Sequence, residues 1–185
     1  MMKEHRQAVI SQLGGLTGPA RALFGLFAAE RLRGCCWVAH HGTKVWETFT
    51  ESLEKAFCLL EHIESFDELI SSLEEIVPEG GEPLQVQGQC AVVCLLESVK
   101  LLTHPDTERI EAVVNAVVDA LDNYTFFARR LITGDLSSPD EYPLLNRELE
   151  KQEADLQFVA GDPSAEAVRQ WRIENLQFAV PAAVG

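Results

Sequence analysis

Over residues 56–99 the sequence contains neither lysine nor arginine. A nucleic-acid phosphate binder needs clustered cations, so this stretch cannot supply one. The whole chain points the same way, with a formal net charge of -14. Anionic membrane surfaces and acidic partners are disfavoured, and a basic protein partner is favoured. No CxxC or HExxH pattern occurs, and Gly14-Gly15 and Gly80-Gly81 lack the lysine and flanking strand of a phosphate loop. No metal and no cofactor is therefore expected. No apolar run reaches transmembrane length, and no charged segment followed by a long apolar one opens the chain. The five cysteines, Cys35, Cys36, Cys58, Cys90 and Cys94, are odd in number and three lie in apolar stretches. That does not make a disulfide framework, so reduced thiols and a cytoplasmic location are expected. Alternation with period two is also missing, which excludes a substantial sheet.

What is present is a helical pattern around one segment. Hydrophobic residues make up 46% of the chain, enough for a real core. From Cys90 to Leu96 the sequence runs CAVVCLL, within an apolar helix expected at about residues 85–103. A helix apolar on nearly every side belongs in the middle of a fold. The expectation is all-α: one antiparallel bundle of about seven to eight helices over residues 1–180, with 181–185 a loose tail. Lys3 to Leu13 reads as a first helix. Thr17 is an N-cap, with Pro19 in the first turn of a helix that Gly34 stops. Arg31 and Arg33 then suit its negative C-terminal end. Cys35 to His41 reads as a short piece between helices.

Thr43 caps a helix whose face is Trp46, Phe49, Leu53, Phe57 and Leu60. Ser65 and Glu68 fit a capping box ahead of Leu69, Leu73 and Ile76. Residues 78–83 read as a loop. Asp106 or Thr107 caps the longest helix, running to Thr133, with Ile110, Val113, Val117, Leu121, Tyr124, Ala128 and Leu131 at steps of three and four. After a polar loop at 137–142, Pro143 starts a helix through Val159. Asp162-Pro163 opens a last one through Val168, Trp171 and Leu176.

The residues with chemical potential do not form a recognised constellation. Cys90 and Cys94 share a helix face, but zinc would need two more ligands, from His104, His40-His41 or Cys35-Cys36. Packing thiols are the simpler reading. Cys35, Cys36, His40 and His41 put thiols beside imidazoles, yet a nucleophile and base need spatial geometry that spacing does not supply. The spaced Glu-x-x-His pair of a di-iron bundle is missing.

The charge distribution carries the functional expectation. The block without cations holds Glu61, Glu64, Asp67, Glu68, Glu74, Glu75, Glu79, Glu82 and Glu97. Ordinary helix surfaces intersperse lysine with glutamate to gain i, i+4 pairs, and this one does not. The first eight are read as an acidic partner-binding face; the plainer reading is a solvated helix surface.

Four stretches resemble the YjaG-like family of small bacterial all-helical proteins of unknown function. They are Ala29-Glu30-Arg31-Leu32, Val45-Trp46-Glu47-Thr48, Ile76-Val77-Pro78 with Gln89-Cys90-Ala91-Val92, and Tyr142-Pro143-Leu144-Leu145 with Arg147-Glu148-Leu149-Glu150-Lys151-Gln152. The chain departs from the family where Gln87 and Gln89 replace expected aspartates, and in the shifted order of its Trp-Glu segment. The resemblance implies an all-α fold, brings no catalytic residues, and associates the chain with toxin-immunity proteins of similar size and acidity. The expected function is thus a non-enzymatic, acidic, immunity-type inhibitor that covers a basic toxin or enzyme. The alternatives are a homo-oligomeric helical protein, with Trp37, Trp171 and Phe178 as interface candidates, and an enzyme using His40, His41 or the cysteines.

Overall fold

In the computed structural model, residues 2–62, 66–77, 83–104, 106–133, 143–177 and 179 are described, with side chains at all of these but 2, 59, 61, 62, 83, 84, 124–133 and 143–145. Among the described residues the chain forms nine helices and no strand: α1 (Met2–Gly14), α2 (Gly18–Arg31), α3 (Arg33–His40), α4 (Lys44–His62), α5 (Asp67–Ile76), α6 (Pro83–Thr103), α7 (Thr107–Thr133), α8 (Pro143–Ala160) and α9 (Ala165–Leu176). The all-α bundle expected from the periodicity is what the chain folds into, and α6 is its centre. The helix beyond the expected seven or eight is α3.

A helix apolar all round needs neighbours all round. α6 has α7 along most of its length, α2 and α3 on other sides, and α4 and α5 near by. Leu95, Val99 and Leu101 of α6 are at most 1% exposed. Burying side chains of this size stabilises the fold by about 1.5–3 kcal/mol each. By length and composition alone Gln85–Thr103 would pass as a membrane span, contrary to the sequence expectation, but it is packed here as the core helix. The α2–α6 crossing is close. Gly25 of α2 lies against Ser98 of α6, and the Cys94 thiol faces the Gly25 carbonyl at 3.8 Å. Lower on α6, Gly88 lets the His40 ring and Ala39 of α3 sit against the helix backbone.

The helix boundaries follow local chemistry, with several departures from expectation. Thr17 caps α2 by accepting from the Ala20 amide at 3.4 Å, and Asp106 caps α7 by accepting from the Arg109 amide at 2.8 Å. Gly34 does not stop α2. The chain breaks at Leu32, and Gly34 is buried inside α3. Thr43 does not act as expected either: its hydroxyl donates to the His40 carbonyl at 2.6 Å, closing the turn out of α3. α5 has Phe66 at its N-cap, with no side-chain cap bond. Ser164, not Asp162, caps α9, accepting from the Ala167 amide at 3.3 Å; Asp162 turns the chain with φ +52°. Arg21 closes the end of α1, donating to the Leu13 and Gly14 carbonyls at 2.8 and 2.7 Å. Pro83, expected in a loop at 78–83, is the first residue of α6; the rest of that loop, the loop expected at 137–142, the Ser65 cap and the tail expected at 181–185 lie outside the described residues. Ile110, Val113, Val117 and Leu121 of α7 are buried as expected.

Candidate functional site

α5 presents two opposite faces. Leu69, Leu73 and Ile76 are buried in the core, while Asp67, Glu68, Glu74 and Glu75 are exposed. α4 packs beside it and adds exposed Glu47 and Glu51. The structure therefore places four of the eight expected site residues on one surface. The Glu61 side chain and all of Glu64, Glu79 and Glu82 lie outside what is described. Neighbouring helices bring cations that the sequence block lacks. Lys100 of α6 reaches Glu74 at 2.8 Å, and Lys44 of α4 lies 3.6 Å from Glu75. The Lys44–Glu75 pair is 76% and 70% exposed, where such pairs contribute little.

Sequence reasoning missed a second charged cluster, which is buried. Arg31 is 1% exposed. Its Nε and Nη2 donate to the two Glu148 oxygens at 2.7 Å each, and its Nη1 donates to Asp155 at 2.6 Å and to the Asn175 side chain at 2.7 Å. Trp171 Nε1 donates to the other Asp155 oxygen at 2.7 Å, and Gln152 donates to Glu148 at 3.3 Å. Burial pulls the Arg31 pKa down, but Glu148 and Asp155 outweigh it and the net displacement is upward. One side chain thus ties α2 to α8 and α9, and it joins two of the stretches that carried the family resemblance. The signal in the sequence was Glu30-Arg31 inside an otherwise apolar run, since a charge that is buried must find partners.

Glu30, on the adjacent position, is also buried. Arg33 lies 2.7 Å from one of its oxygens and Arg172 of α9 donates to the other at 2.9 Å. Arg33 and Arg172 both reach Glu54 of α4 as well. Burial raises the Glu30 pKa despite the two arginines, whereas hydrogen bonding by Arg172 lowers that of the more exposed Glu54. A depressed folded-state pKa gives stability that is present above the ordinary value of 4.5 and lost as pH falls through the folded value. Glu54→Gln should therefore lower the urea midpoint at pH 7, by an amount that shrinks as the pH falls below 4.5. A midpoint difference that stays constant with pH would contradict this.

Among the described residues the thiols and imidazoles do not assemble a reactive pair. Cys35, Cys36 and Cys94 are buried. Burial pushes the Cys36 thiol up to about 12 and Cys90 to about 11, with Cys35 and Cys94 displaced the same way. Such thiols stay protonated and weakly nucleophilic. His40 is buried with Nε2 unpartnered, and its pKa is lowered by that burial. His41 stacks on Trp37 with ring centroids 4.6 Å apart. A recess of about 630 Å³ lies among Leu23, Phe57, Leu60, Val159 and Val168, and none of these cysteines or histidines lines it. No metal-holding group of three or more histidine, cysteine, aspartate or glutamate side chains occurs among the described residues.

No protein-family model and no curated protein matches this sequence. The fold is found in a solved structure, a DUF416 family protein from Shewanella baltica OS155. That match has a TM-score of 0.69 and 17% sequence identity, and it covers 94% of this chain and 95% of that one. At this identity the likeness carries the fold, which is thus shared with a protein from an uncharacterised family.

Proposed function

We propose that the protein is a non-enzymatic binding module of immunity type, whose acidic α4–α5 face covers the basic surface of a toxin or enzyme and blocks it. The supporting observation is the exposed carboxylate set Glu47, Glu51, Asp67, Glu68, Glu74 and Glu75 mounted on helices whose other faces are locked in the core. Excess charge of one sign accelerates encounter with an oppositely charged surface. A rigid backing leaves less order to impose on binding. The YjaG-like resemblance brings the same association with immunity proteins.

The test compares immobilised wild-type protein with the variant Asp67→Lys/Glu68→Lys/Glu74→Lys/Glu75→Lys in capturing proteins from its own organism. A basic partner should be held by the wild type, released as salt rises, lost by the variant, and inhibited by wild type in its own activity assay. A partner captured equally by both proteins would remove the acidic face from the reading.

A second reading, a homo-oligomer, rests on α9. Ile173 and Leu176 are 57% and 44% exposed and lie three residues apart. They replace the interface candidates read from the sequence. Trp171 is packed between Phe158, at 4.5 Å between ring centroids, and the Lys151 ammonium; Trp37 is half-buried against His41; Phe178 lies outside the described residues. Light scattering that finds a monomer throughout the micromolar range would exclude this reading.

A further inference from the structure

Between α4 and α5 lies a recess of about 210 Å³, walled by Glu51, Ser52, Ser72 and Glu75, with Leu69 on its apolar side and Lys44 at its edge. Ser52 is only 4% exposed. Among the described residues no group hydrogen-bonds its hydroxyl, which faces the recess. Its oxygen opens on the recess, which leaves it free to accept from a group that enters from outside. Glu51 likewise has no ion-pair partner among the described residues, and Glu75 has only the exposed Lys44 at 3.6 Å.

We propose that this recess is the anchor site of the acidic face, and that it takes the guanidinium of an arginine side chain from a protein partner. This deepens the proposed function and rests on it for the identity of the partner class. The chemistry fits the walls. A guanidinium presents a flat fork of donors and no acceptor, matched here by two carboxylates and by hydroxyl oxygens that can accept. Its aliphatic stem would lie along Leu69. Arginine is also the charged residue that most often anchors an interface when it enters a pocket. Lys44 acts as a placeholder: it shields Glu75 weakly in the free protein and gives way to the incoming cation. Lys55, which also borders the recess, stays exposed at the rim.

The experiment titrates the isotopically labelled protein with N-acetyl-L-arginine methylamide and follows amide shifts by NMR. The expected shifts centre on Ser52, Leu69 and Ser72, and N-acetyl-L-norleucine methylamide should not produce them. Glu51→Gln and Glu75→Gln should each weaken binding about three- to fivefold, while Lys44→Ala should strengthen it about twofold. All three positions are exposed, so the variants keep the fold. Free L-arginine should bind no tighter than the blocked amide. Tighter binding of the free amino acid, through its carboxylate and the lysines, would overturn the assignment to a protein side chain. Shifts scattered over the surface, or unaffected by Glu51→Gln and Glu75→Gln, would overturn the site itself. Arginine amide can fail here while the face still captures a basic protein, and capture can fail while the recess still fills, so the two proposals stand or fall separately.

Discussion

Arg31→Ala will cost the fold about 3–5 kcal/mol, a large share of the roughly 5–15 kcal/mol that holds a domain together. The loss comes from what the substitution leaves behind. Glu148 and Asp155 are 6% and 0% exposed, and both would be left buried without their cation. Asn175 loses its contact to Arg31, and Trp171 is left bonded to an uncompensated carboxylate. The ion cluster itself need not be a net gain over an apolar core, because desolvation of three charges offsets much of their attraction. The single and the combined variants should therefore differ in kind. Arg31→Met with Glu148→Leu and Asp155→Leu should lie much closer to wild type than Arg31→Ala alone, although Gln152, Trp171 and Asn175 lose partners at about 1–3 kcal/mol for a stranded buried group. Arg31→Lys should fall between, since an ammonium cannot make the forked contact to Glu148. Urea unfolding at pH 7 and 25 °C measures the series. A cost below about 1 kcal/mol for Arg31→Ala would show that water reaches the cluster and screens it.

The same cluster shows what the sequence could mark and what it could not: Glu30-Arg31 in an apolar run marked a buried charge, but not its partners. Arg31 could be read only locally, as a cation suiting the end of α2, because its partners Glu148 and Asp155 stand 117 and 124 positions away. Long-range pairing leaves no mark in a helical period. α6 was the opposite case. Its apolar residues surround the helix, and only a central position satisfies that, so its place was legible from CAVVCLL. Gly34 misled because an internal glycine costs a helix about 1 kcal/mol relative to alanine; here it is buried inside α3, which runs on through it. Asp162-Pro163 looked like a cap and a first-turn proline. The chain instead turns through Asp162 in the left-handed region, and the cap falls to Ser164. The acidic face was legible as composition, since the missing lysines are a local property. Its partial neutralisation by Lys44 and Lys100 was not, because both lie beyond the ends of the block and arrive only through packing. The recess between α4 and α5 is a product of that packing too.

Gly25→Ala tests the close α2–α6 crossing and has a sign that decides between two effects. In an isolated helix alanine is favoured over glycine by about 1 kcal/mol. Within the bundle, a Cβ at position 25 would fall 2.0 Å from the Ser98 hydroxyl oxygen, 2.8 Å from the Ser98 Cβ and 3.3 Å from a Val113 methyl. The hydroxyl can rotate away, at the cost of its bond to the Cys94 carbonyl. The Ser98 Cβ cannot move without the backbone of α6, which is wedged between α2 and α7. Overpacking of this kind costs about 1–3 kcal/mol and more where the surroundings are stiff, so the substitution should destabilise despite the helix preference. Second substitutions separate the two contacts. Gly25→Ala with Ser98→Ala removes the oxygen and keeps the Cβ clash, and should recover little. Gly25→Ala with Ser98→Gly removes both and should recover most of the loss, less the cost of a glycine inside α6. Urea midpoints of the three proteins give the comparison. If Gly25→Ala alone raises the midpoint, α2 and α6 are not held as close as the structure has them, and the helix preference has won.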